Sequence, residues 1–499
     1  MAQSANPVVA VSGGRIEGRN WPGGQGATFR GIPFAAPPVG DLRWRDPQPV
    51  VPWKGLRDAS QYAASCAQVD GGWNSKDAKL GQEDCLYLNV VTPQMKPEKP
   101  LPVMVWIHGG ANFAGSALGY SEVTAEPLPS HGVVLVTLQY RLGYLGFIAH
   151  PLLAAESPHH TSGNYGLLDQ IAALRWVREN IAQFGGDPSQ VTIFGQSAGA
   201  YNVAMLIASP LAKGLFHRAI EESSPSIFGA RRLPSRAAAE AEGQQMATKL
   251  KAPAEGTLAY LRSLPVEEII KATPPYGQGG LAVSTDGYVL PEDPAETYEN
   301  HREQPVPLIV GNNAREFPFF EPPEMLRSAI QRQLLDQTPA ALEAYGLSGK
   351  PATADPGYGP AGDQFSTDEF FRCYNAHVAD LHSKIAPTWQ YEYSHVMVGK
   401  EKEGASHSSE LGHVFGTFFM GGPPTAEDRK LSAQIEGYWS NFAKAGDPNG
   451  ATLPQWLGHN DTTRAYVDFT TAGAVAKNDL RGEICRRFVE AAKHLPPAQ

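Results

Sequence analysis

The sequence predicts an α/β fold: a central, mostly parallel sheet flanked by helices. Three observations predict it. Strand and helix signals alternate through the middle of the chain, a Gly-x-Ser-x-Gly turn joins one of those strands to a helix, and no linker divides the 499 residues.

The alternation can be followed element by element. Residues 103–107 (VMVWI) form a short apolar run followed at once by His108-Gly109-Gly110, and 133–138 (VVLVTL) form a second. Residues 166–183 place Leu167, Leu168, Ile171, Leu174, Val177 and Ile181 at helical spacing, and Gly185-Gly186-Asp187-Pro188 ends that helix. VTIF (191–194) is a third strand, followed by Gly195–Gly199 and an Ala-rich helical stretch. Further strands are expected near 307–310 and 388–393, and a late helix near 431–445. Strands alternating with helices form βαβ units, hence a mostly parallel sheet. Length alone would divide the chain into about three domains. However, the Pro/Gly-rich stretches 273–280 and 351–363 are short and flanked by patterned segments, so they read as surface loops within one unit, residues 1–499.

Composition removes several function classes. Lys and Arg number 41 against 51 Asp and Glu, a formal charge of −10, whereas nucleic-acid binders carry a basic stripe. With 42% hydrophobic and 18% charged residues the chain can bury a core. The 51 Gly and 42 Pro have no period, which excludes collagen. No apolar run approaches the roughly 18 residues of a spanning helix. The four cysteines form no CxxC or Cys/His cluster, so no metal is expected. The N-terminus MAQSANPVVA lacks a basic n-region and an apolar h-region. It reads either as a cytoplasmic start or as a mature start after removal of a signal. Oligomeric state leaves no mark in the sequence.

Gly195-Gln196-Ser197-Ala198-Gly199 matches G-x-S-x-G. The pattern is common, but here it lies directly between a β-branched strand and a helix, the setting of a nucleophile elbow. In so tight a turn Gly195 and Gly199 stand where a side chain would clash, and Ser197 is exposed at a helix N-terminus.

Several segments in order then resemble the type-B carboxylesterase family, which includes the cholinesterases: GIPFAAPPVGDLRW (31–44), EDCLYLNV (83–90), VWIHGGA (105–111), YRLGYLGF (140–147), GNYGLLDQ (163–170), FGGDPSQVTIFGQSAGA (184–200) and ELGHVFG (410–416). The similarity covers nearly the whole chain. It implies an α/β-hydrolase fold with long insertions and hydrolysis of carboxylic esters through an acyl-enzyme, without a cofactor. By this resemblance Ser197 is the nucleophile, and the backbone N–H groups of Gly110, Ala111 and Ala198 form the oxyanion hole. His407, in GASHSSELGHVFG, is the base; His413 is its rival, and His159 and His160 read as solvated. The acid is Glu316, which follows the strand PLIV, although Arg315 and Phe317 flank it where the family usually has Asp and a small residue. Glu321 and Glu324 read as solvated, and Asp286 as structural. Gln196 replaces a frequent Glu and removes a negative charge near His407. Glu410 is a supporting carboxylate or a solvated loop residue. Ser223 matches a serine that packs behind the triad. His108 is expected to orient its loop, Asn112 to make one pocket wall more polar, and Phe113 and Phe228 are candidates for the acyl wall.

The resemblance also pairs Cys66 with Cys85 and Cys373 with Cys485, worth about 3 and 4.7 kcal/mol by loop entropy. Two disulfides favour an exported protein, periplasmic or extracellular. The expected function is a serine ester hydrolase acting on a small-molecule ester. The alternatives are a specialised esterase or amidase for a bulky polycarboxylate or aromatic ester, and a non-catalytic binding protein on the same fold.

Overall fold

The computed structural model describes residues 5–21, 25–120, 128–274, 283–349, 356–418 and 423–495. Within them eleven strands form one sheet. Its order is Gly473–Asn478, Ala465–Thr470, Thr388–Tyr393, Leu308–Asn313, Arg218–Glu222, Gly186–Gln196, Leu101–Ile107, Val134–Leu138, Tyr87–Thr92, Ala27–Pro33, Arg19–Asn20. Seven consecutive strands, Val134–Leu138 to Ala465–Thr470, pair in parallel. Antiparallel pairs finish both edges. This is the expected mostly parallel α/β sheet. A separate three-stranded sheet joins Val8–Val11, Gly14–Glu17 and Leu56–Asp58.

Alternating strand residues point to opposite faces. Val103, Val105 and Ile107 pack on one side with the helices Tyr165–Asn180, Ala198–Ala208 and Cys373–His382. Met104 and Trp106 pack on the other with Tyr438, Trp439 and Phe442 of the helix Ala426–Ala445. A sheet covered on both faces needs apolar residues at every position, which is why these strands read as unbroken apolar runs.

The expected elements are extended by the structure. VTIF lies inside the longer strand Gly186–Gln196. The helix expected over 166–183 is Tyr165–Asn180 followed by a 3₁₀ turn, Ile181–Phe184, closed by Gly185 at φ 79°. The late helix begins at Ala426 because Thr425 and Asp428 form a capping box there. Of the expected surface loops, 275–280 and 351–355 lie outside the described residues. Residues 361–363 are not loop but the start of the helix Ala361–Thr367, where Asp363 is tied to Arg315 at 2.6 Å.

Long helical excursions separate the later strands: four helices stand between Arg218–Glu222 and Leu308–Asn313 among the described residues. Disulfides join Cys66 to Cys85 and Cys373 to Cys485, the second linking the helices Cys373–His382 and Gly482–Ala492. No helix among the described residues is long and apolar enough to cross a membrane.

Candidate active site

Ser197 sits between the end of the strand Gly186–Gln196 and the helix Ala198–Ala208, at φ 58° and ψ −127°. Strain of this kind persists only where its surroundings enforce it. Here they do. A Cβ on Gly199 would lie 2.0 Å from the Ile107 carbonyl oxygen, and one on Gly195 would lie 2.5 Å from the Gly199 carbonyl carbon. The Ser197 amide donates to the Glu222 carbonyl at 2.9 Å, fixing the elbow to the next strand.

Glu316 follows the strand Leu308–Asn313 and is buried. Its Oε1 accepts from the Asn313 amide at 2.7 Å, and its own amide donates to Thr367 Oγ1 at 3.0 Å. Its Oε2 lies 2.6 Å from Nδ1 of His407, and the His407 amide donates to the Glu316 carbonyl at 2.9 Å. With Nδ1–H given to the carboxylate, Nε2 presents a lone pair. The side-chain amide of Gln196 lies 3.2 Å from it, so the imidazole spans the space between the buried acid and the elbow. Ser197 Oγ makes no hydrogen bond to the described residues. Catalytic hydrogen bonds are often loose before substrate binds.

The turn after Leu101–Ile107 carries the other proposed donors. Gly110 has φ 108°, and Ala111 and Asn112 are also left-handed at 57° and 63°. A Cβ on Gly110 would lie 2.0 Å from the Ala114 carbonyl oxygen, and one on Gly109 would lie 3.1 Å from Ser197 Cβ, so the turn runs beside Ser197. None of the amides of Gly110, Ala111 and Ala198 donates to the described residues. The turn is pinned from behind. Gln68 exchanges hydrogen bonds with the Gly115 backbone at 2.8 and 3.0 Å and also donates to the carbonyl of Cys66, a disulfide partner. His108 is buried and stacks on Tyr140, its Nδ1 2.8 Å from the Gly109 carbonyl, and burial pushes its pKa down to about 4. A neutral, packed imidazole fits the expected loop-orienting role.

Other expectations divide. Asn112 does not line a pocket wall: it is fully buried and exchanges hydrogen bonds with Asn202 at 2.8 and 3.1 Å, because its left-handed backbone turns the amide inward. Phe228 packs on Tyr374 and His377 as a buried residue, and Phe113 is buried too. Glu410 is not a solvated loop residue; it is buried, with Oε2 2.5 Å from Asn313 Nδ2. Burial first, and the charge of Glu316 second, push its carboxyl up to about 8. Ser223 is fully buried at φ 53°, its amide donating to Gly311 at 2.8 Å. Asp286 accepts from the amides of Tyr288 and Leu290 in a turn, as expected of a structural residue. His413 is buried away from solvent and sits against Tyr393 and His395.

Two residues beside the imidazole escape sequence reasoning. The rings of Phe317 and Phe371 lie 4.3 and 5.2 Å from that of His407. Phe317 follows the acid directly and could have been read from that; Phe371 lies on a helical excursion and could not. Among the described residues, His395, His413 and Asp428 form a group whose ligand atoms lie within 4.8 Å of one another.

A model of the "Carboxylesterase family" matches residues 5–488. The chain belongs to that family. It is 37% identical to liver carboxylesterase 1 of Oryctolagus cuniculus over 95% of this chain and 92% of that protein. It is 35% identical to fumonisin B1 esterase of Sphingopyxis macrogoltabida over 91% and 85%. The solved structure of a PNB esterase superposes with a TM-score of 0.80 at 32% identity, covering 97% of this chain and all of the other. This family member is a carboxylic ester hydrolase with the α/β-hydrolase fold, acting on small-molecule esters, and a non-catalytic role on the same fold is not favoured.

Proposed function

We propose that this carboxylesterase cleaves esters through an acyl-enzyme on Ser197. Ser197 Oγ attacks the ester carbonyl carbon while His407 Nε2 takes its proton. The charge that develops on the carbonyl oxygen is met by the N–H groups of Gly110, Ala111 and Ala198; one such donor is typically worth about 2.7–4 kcal/mol. His407 then gives the proton to the departing alkoxide, and Glu316 holds the imidazole tautomer and stabilises the imidazolium. A water deprotonated by His407 attacks the acyl carbonyl and releases the acid and Ser197.

The observation that carries this reading is the single imidazole between Glu316, at 2.6 Å, and the elbow. Gln196 donates to the same Nε2 lone pair that Ser197 must use, so its amide has to yield as substrate enters. The neutral amide of Gln196, standing where a carboxylate would attract a cation, favours neutral esters over cationic choline-type esters. A panel of esters varied separately in acyl and alcohol part tests this. Nitrophenyl butyrate should be turned over, a choline ester poorly, and Ser197→Ala should lower kcat by about 10⁶-fold. Equal rates for choline and nitrophenyl esters would contradict the substrate reading.

We also propose that residues 1–499 act as one catalytic unit, since Gln196 and His407 meet although 211 positions apart. We further propose that the protein is exported, supported by its two disulfides. Labelling of the denatured, unreduced protein from its native host should find no free thiol, and four free thiols would refute export.

A further inference from the structure

We propose that His395, His413 and Asp428 bind a divalent transition metal of the zinc class, at a site separate from the triad that anchors the segment carrying His407. The three residues come from different elements. His395 lies two residues beyond the strand Thr388–Tyr393, His413 on the short helix Leu411–Val414, and Asp428 in the first turn of the helix Ala426–Ala445. Their spacing matches no metal motif, so only the fold brings them together.

The geometry is that of a small converging ligand set. Asp428 Oδ1 lies 2.6 Å from His395 Nε2 and 3.7 Å from His413 Nε2, and all three atoms fall within 4.8 Å of one another. Ligands on one tetrahedral zinc, with bonds of about 2.0–2.2 Å, stand roughly 3.3 Å apart. The observed separations straddle that value, and a small rotation of the imidazoles would equalise them. All three residues are buried.

The atoms that point away from the centre are held by other groups. His395 Nδ1 lies 3.0 Å from Thr471 Oγ1, and His413 Nδ1 lies 3.1 Å from the Tyr393 hydroxyl. Asp428 Oδ2 accepts from the amide and hydroxyl of Thr425 at 2.7 and 2.9 Å. Fixing the outer nitrogen and oxygen of each ligand is how metal sites orient the inner ones. A plain ion pair between His395 and Asp428 would explain two of the three residues. It leaves His413 Nε2 buried and without a hydrogen bond among the described residues, an orphan that a metal would satisfy.

Two imidazoles and one carboxylate favour zinc, cobalt or nickel over calcium or magnesium, which prefer all-oxygen shells. The ion would act by position. The His413 amide donates to the Glu410 carbonyl at 2.8 Å, and Glu410 is held by Asn313, which also donates to Ser406 at 2.7 Å. Fixing His413 therefore steadies the stretch that contains His407.

Cobalt binding to the full-length, chelator-treated protein tests the proposal. One equivalent of Co²⁺ should bind, give visible d–d absorption and be displaced by Zn²⁺. His413→Gln, a near-isosteric change that spares folding, and Asp428→Asn should each weaken binding at least 100-fold and abolish the absorption. Zn²⁺ should raise the unfolding midpoint of the parent but not of these variants. Absence of bound cobalt in the folded parent, or an unchanged cobalt spectrum in both variants, would overturn it.

Discussion

Gln196 occupies a sensitive position, because its neutral amide is the group facing the free nitrogen of the imidazole at 3.2 Å. A carboxylate there would favour the protonated ring. Gln196→Glu should therefore move the acidic limb of the kcat/KM profile to higher pH, since the base would keep its proton further into the neutral range; superimposable profiles would refute this. Ser197 and His407 were legible as candidates because each lies inside a run of family motifs. The inward turn of Asn112 was not, since it depends on a left-handed backbone that the letters HGGAN do not announce.

At the scale of elements, the elbow works because strand, turn and helix approach too closely for a side chain. Gly199→Ala would set a Cβ 2.0 Å from the Ile107 carbonyl oxygen, against backbone that cannot move aside. Displacing a catalytic group by about 1 Å costs on the order of 10²-fold in rate, so this variant should lose at least that much kcat. Gly214→Ala, at φ 73° with nothing within 4 Å of the added carbon, should keep its rate. Equal activity in the two variants would show that the elbow tolerates displacement. The parallel strands were legible because they are buried on both faces and so read as unbroken apolar runs. Arg218–Glu222 was not, because RAIEE buries two glutamates and shows no strand pattern. The antiparallel edge strands escaped for a different reason: they belong to no βαβ alternation.

For the molecule as a whole, those buried carboxylates tie stability to pH. Burial pushes Glu221, fully enclosed on its strand, up to about 8. An acid whose folded pKa is raised binds its proton more tightly when folded. Its stabilising effect is present near the unfolded value of about 4.5 and is lost as pH rises toward 8. Glu221→Gln, which cannot ionise, should therefore be more stable than the parent at pH 8 by more than about 1 kcal/mol, seen as a higher unfolding midpoint, and differ less at pH 5. Parallel midpoint curves would contradict this. The two disulfides, read from the resemblance, were found as paired. Sequence could not foresee how Arg372 steadies the acid loop: its guanidinium lies between Asp368 and Glu392 and donates to the Ala314 carbonyl at 2.5 Å, a junction of distant segments.

We propose Ser197 as the residue acylated during turnover, with His407 as its base. Stoichiometric labelling with a fluorophosphonate, read by intact mass and peptide mapping, tests it most directly. One adduct on Ser197, complete loss of nitrophenyl butyrate hydrolysis, and no adduct in Ser197→Ala or His407→Ala are the expected results. An adduct on another residue, or hydrolysis that survives full labelling of Ser197, would contradict it.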